Sequence, residues 1–120
     1  MRSFCAALLA GLCIGDGAAP VYAATKTVTG EVIALRCYFE SKENVGKFGL
    51  ICARASVKYE VSPVGLLTAD GKVYQLAGGL VANNNAKAVP LLSHIVTITG
   101  DVYEKIGMPM ISADEAKIVK

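Results

Sequence analysis

The chain holds a single histidine, His94, and nowhere sets it in a Ser/His/Asp, Cys/His or His-Glu-x-x-His arrangement, so the usual hydrolytic and metalloprotease machinery is missing. It has no Cys-x-x-Cys, the spacing of a thioredoxin-type redox pair, and no glycine-rich phosphate loop. Twelve basic residues against ten acidic ones leave a net charge of only +2. That balance argues against a strongly electrostatic partner, and no basic patch marks a nucleic-acid footprint. No internal repeat or low-complexity segment breaks the pattern. The expectation is a protein that is not an enzyme and has no nucleic-acid partner.

Long apolar runs are also scarce. The one at the start, Phe4 to Ile14, follows Arg2 and is ended by Gly15-Asp16-Gly17; it falls short of the ~20 residues that cross a bilayer. With the small-residue region that closes in Val21-Tyr22-Ala23, it has the form of a secretory signal peptide. Cleavage after Ala23 is expected, giving a periplasmic or secreted single domain over 24–120 with no membrane insertion afterwards. Lipid attachment at Cys13 is disfavoured, because Leu12 occupies the position where a small residue is wanted. Removing the leader takes away Cys5 and Cys13 together with Arg2 and Asp16, so the charge stays at +2 (eleven minus nine) and only Cys37 and Cys52 remain.

Along the rest of the chain, β-branched residues dominate. Thr27 to Leu35 alternates as a first strand with a bend or bulge at Gly30. Arg36 to Gly46 reads as a loop, and the spacing of Phe48, Ile51, Cys52 and Ala55 predicts one helix over Lys47 to Ala55. Val57 to Val61 alternates as a short edge strand or an extended lead into Pro63, which stops any helix. Asp70-Gly71 calls for a type I′ turn, pairing Thr68 with Val73, Leu67 with Tyr74 and Leu66 with Gln75, and placing Leu67, Tyr74 and Leu76 on the core face. Gly78-Gly79 ends that hairpin. Asn83 to Asn85 offers the N-cap of a helix reaching Leu92 and limited by Pro90. Ile95 to Tyr103 is a strong strand, Lys105 to Pro109 a turn, and Met110 to Val119 a final strand.

Strand, long connection, strand, strand, helix, strand, strand is the order of a five-stranded Greek-key barrel with its helix between the third and fourth strands, the OB-fold. A mainly β, OB-fold-like barrel is therefore expected, with an α+β sandwich as the alternative.

Cys37-Tyr38, Cys52-Ala53 and Pro63-x-Gly65-Leu66-Leu67-Thr68-x-Asp70-Gly71 together resemble a group of small exported bacterial proteins of unknown function. That pattern carries His-x-x-Cys-Ala-x-x-x-Cys before the hairpin. In this chain Gly49 stands at the histidine position and no cysteine follows Cys52 before the hairpin, so two of the four candidate metal or redox positions of the pattern are unfilled.

Three readings compete for Cys37 and Cys52: a structural disulfide, a redox pair, or metal ligands. The first fits an oxidising compartment and a small core; closing a loop of about fifteen residues contributes on the order of 3 kcal/mol in the chain-entropy model. Met108-Pro109-Met110 lies on the turn between the last strands, and with the cysteines it forms a soft sulfur set suited to Cu(I), the alternative to a protein with no cofactor. The bland reading has Pro109 shaping the turn while the methionines fill gaps. His94 reads as a helix C-terminal partner or a half-buried packing group rather than a ligand. Tyr38, Phe39, Tyr59 and Tyr74 are the candidate ligand face, as a stacking platform, or else core edges and cross-strand pairs. The function class that remains is a small exported binding or interaction module whose partner is an unidentified protein or small ligand in the periplasm; an accessory role beside a larger exported protein falls in the same class.

Overall fold

In the computed structural model, described over residues 24–120, Glu31 is where the first strand changes partners. The expected leader, residues 1–23, and its cleavage site lie outside the described residues. Strand β1 (Ala24–Ala34) pairs antiparallel with β4 (Ile95–Lys105) from Ala24 to Glu31, and with β2 (Val64–Leu67) from Glu31 to Ala34. Beyond the bend, β2 pairs with β3 (Val73–Ala77), β3 runs parallel to β5 (Met108–Ser112), and β5 pairs antiparallel with β4. The order β1-β2-β3-β5-β4-β1 closes a five-stranded Greek-key barrel of the OB type, as the element order predicts. A two-residue strand β6 (Lys117–Ile118) adds to β4 outside the ring. The single final strand expected over Met110 to Val119 is thus two, interrupted where Asp114 turns aside to accept the backbone N–H of Gly79.

Fully buried side chains from the strands fill the barrel: Val32, Leu66, Val96, Ile98 and Ile111, with Leu80 and Val57 closing it from the connections. A second cluster sits on the opposite side of β1, β2 and β3. There Ile33, Leu35 and Tyr38 are buried, with Leu67, Val73 and Met108 packed against them.

The β2–β3 hairpin forms where the sequence puts it, but one residue out of the predicted register. Leu67 pairs with Val73 and Leu66 with Tyr74. The reason lies in the turn. Gly71 N–H donates to Thr68 O at 3.0 Å and Thr68 N–H to Lys72 O at 2.9 Å, so the loop has three residues, and Gly71 alone has positive φ (+90°). This is a type I turn followed by a glycine bulge rather than type I′. A one-residue slip exchanges the faces of β2: Val64 and Leu66 enter the barrel with Tyr74 and Leu76, and Leu67 faces out. The turn with two positive φ values is Ile106-Gly107 (+50° and +77°), between β4 and β5.

The connections depart most from expectation. Arg36 to Glu40 is not loop: α1 (Leu35–Glu40) begins directly after β1, because one helical turn sends Leu35 and Tyr38 together into the outer cluster while Cys37 points to the core. Helix α2 (Gly46–Arg54) matches the predicted helix, yet it runs on as a wide π-turn, Ala55–Tyr59, where the sequence predicts an edge strand or an extended lead into Pro63. The wider turn brings both Ser56 and Val57 inward, and Val57 becomes fully buried. Between β3 and β4 the expected two-turn helix is replaced by short 3-10 turns, Gly78–Val81 and Val89–Leu91, around Ala82–Asn85. Asn83, Asn84 and Asn85 all adopt left-handed φ (+56° to +64°), a conformation asparagine tolerates better than other side chains. They cap nothing as an N-cap would.

Candidate functional site

The long connection between β1 and β2 is held to the barrel at several points. At its near end the Glu31 carboxylate accepts the backbone N–H of Gly46 at 2.6 Å, placing a negative charge at the start of α2, where the helix dipole favours one. Ser93 donates its hydroxyl to Gly46 O at 2.9 Å. Asn44 Nδ2 donates to Cys37 O at 2.9 Å and so closes the end of α1. In the middle, Cys37 and Cys52 form a disulfide with Cα atoms 6.2 Å apart, joining α1 to α2. At the far end the buried Asn85 amide donates to Val57 O (3.2 Å) and Ser62 O (3.1 Å). The left-handed asparagine turn thereby clamps the end of the π-turn.

These restraints decide which side of α2 faces the barrel. Gly49, Ala53, Ser56 and Val57 point in. Gly49 is required at its position, because a Cβ there would meet Asn44 C and O at 2.4 Å. The histidine of the resembled pattern therefore has no room at this residue, and Ser56 is a buried hydroxyl without a hydrogen-bond partner among the described residues. With small residues packed inward, the larger ones turn out. Phe48 is 90 % exposed, Ile51 84 % and Tyr59 74 %. Phe48, Ile51, Ala55 and Tyr59 recur every three or four residues and so form one apolar stripe on the solvent side. The spacing in the sequence predicts the helix, and its largest apolar side chains face water rather than the core.

A second stripe runs beside it. Lys47, Arg54 and Lys58 are exposed one helical position away, and Gly46–Tyr59 contains no acidic residue. Lys58 Nζ lies 5.3 Å from the centre of the Tyr59 ring. None of these three cations forms an ion pair among the described residues, in contrast to Arg36, which pairs with Glu60 at the flank. Where the loop meets α2, Ser41, Glu43, Asn44 and Phe48 line an open cleft of about 390 Å³.

The residues singled out from the sequence fall elsewhere. Tyr38 is buried in the outer cluster, Tyr74 in the barrel core beneath Lys72, and Tyr59 stands on the π-turn. The three tyrosines make no common platform. Tyr38 also covers the outer surface of β2 and β3, the face that barrels of this topology commonly use for ligands. Of the sulfur residues, Cys37 and Cys52 are spent on each other, Met108 packs on the outer cluster and Met110 is buried. Joined to each other, Cys37 and Cys52 offer no thiolate to the soft-metal set. His94 is exposed, not a packing group; its backbone, rather than its ring, bridges Leu91 and Val32.

No family model, curated protein or solved structure matches the chain.

Proposed function

We propose that this is a small exported, non-catalytic interaction module, and that the outward face of α2 and its π-turn is where it docks. The carrying observation is that Phe48 and Ile51 are almost wholly exposed on a segment fixed by a disulfide, a carboxylate and a buried amide. Large apolar side chains displayed in water on rigid backbone are unfavourable to the free protein and are typical of surfaces that meet something else. Export is supported by the disulfide, a bond characteristic of oxidising compartments, and is compatible with the described residues containing no helix long and apolar enough to cross a membrane.

Photo-crosslinking in the producing cell tests this reading. A photoreactive phenylalanine analogue placed at position 51 should give covalent adducts, while the same group at Thr99 on β4 should give none. Equal adducts from both positions, or none from position 51, would remove the docking face.

A further inference from the structure

We infer that the surface this face meets is an anionic lipid headgroup layer, on which α2 lies flat without crossing. The inference rests on the reading of α2 as the docking face and names its partner. Residues 46–59 carry Lys47, Arg54 and Lys58 and no carboxylate, so this segment holds +3; the rest of the chain, with nine basic and ten acidic residues, sums to −1. The whole positive balance of the protein thus sits on one helix face, beside its exposed apolar stripe.

That pairing of stripes is the arrangement of an interfacial helix: apolar side chains enter the boundary of headgroups and acyl chains, while long basic ones remain at the phosphates. Tyr59 at the end of the stripe has the amphipathic ring favoured at such boundaries. A second copy of the chain suits the face poorly, since it would bring three more cations and no countercharge. A protein groove lined by acids would satisfy the charge. Phe48 and Ile51, however, stand out at 90 % and 84 % exposure, and a fluid planar layer receives such projecting side chains without needing a matching cavity.

The chain from Ala24 onward contains every strand pairing of the barrel and is the form to test. It is sedimented with vesicles of phosphatidylcholine alone and of phosphatidylcholine mixed with phosphatidylglycerol. With about five-fold in affinity per cation near an anionic surface, the three cations predict a preference on the order of 100-fold for the mixed vesicles, weakening as salt is raised. Arg54→Gln with Lys58→Gln should remove most of that preference, and Phe48→Ser with Ile51→Ser should remove binding to both. All four side chains are exposed, and unfolding curves of the variants confirm that the fold is intact. Equal binding to both vesicle types, binding unchanged by the Phe48/Ile51 variant, or no vesicle binding overturns the lipid inference. If vesicles are not bound yet position 51 crosslinks to an acidic protein, the lipid inference falls and the docking face stands; if position 51 gives no adduct and no vesicle binds, both fall.

Discussion

The Glu31 carboxylate on β1 accepts the N–H of Gly46, fifteen residues further on, at 2.6 Å. This bond joins the point where the barrel bends to the first residue of the helix that carries the exposed face. Glu31→Gln keeps an acceptor and removes the charge at the helix N-terminus, so a loss of about 1 kcal/mol is expected in urea unfolding. Amide exchange should quicken over 46–59 and stay unchanged in the barrel strands.

The Cys37–Cys52 bond is the stronger restraint. Replacing both cysteines with serine should lower stability by about 3 kcal/mol, measured by denaturant unfolding, while circular dichroism retains the strand signal. Thiol titration of the denatured, unreduced chain from Ala24 should find no free thiol.

Ile106 offers the opposite effect. A β-branched residue at φ +50°, 98 % exposed, contributes no burial to offset its backbone strain. Ile106→Asn suits the same two-residue turn and should stabilise the protein by about 1 kcal/mol. An unchanged or lower midpoint would show that the turn is not in this conformation.

Asp70 contributes a pH dependence. The Thr68 hydroxyl, and after it the Lys72 backbone N–H, hydrogen-bond its carboxylate and hold its pKa below the ordinary carboxylate value. A carboxyl with a depressed folded pKa stabilises the fold above its unfolded pKa, and that contribution is lost as pH falls through the folded value. In acid unfolding, Asp70→Asn should therefore be less stable than the parent at neutral pH, and the gap should close below the usual carboxylate range.

The barrel was legible because its strands advertise themselves. Thr27 to Ala34 and Ile95 to Tyr103 are β-branched and alternating, and the order of elements then leaves few topologies. What stayed hidden depended on choices that periodicity does not make. The α2 segment contains two stripes of the same period, Phe48/Ile51/Ala55 and Gly49/Ala53/Ser56; hydrophobicity favours burying the first, whereas the close approach at Asn44 and the disulfide bury the second. Hairpin register turned on the Thr68 and Asp70 side chains, which stabilise a three-residue loop over the two-residue one that Asp-Gly suggests. The Asn83 to Asn85 run signals equally a helix cap or left-handed backbone, and the hydrogen bonds of Asn85 to the carbonyls of Val57 and Ser62 select the second. The sulfur and tyrosine candidates are grouped by residue type alone, and the fold separates them: Met108 and Tyr38 join the outer cluster, Tyr74 the barrel core, Cys37 and Cys52 bond to each other, and Tyr59 stays exposed.

The orientation of α2 carries the functional account, and its most direct test is the urea unfolding of the Phe48→Ser, Ile51→Ser double variant beside Val57→Ala. Exposed side chains leave stability within about 0.5 kcal/mol each, whereas truncating a fully buried valine costs roughly 1 to 3 kcal/mol. The account predicts a near-parental midpoint for the double variant and a clear loss for Val57→Ala; the reverse order, with the double variant losing several kcal/mol, would put Phe48 and Ile51 in the core and leave no docking face.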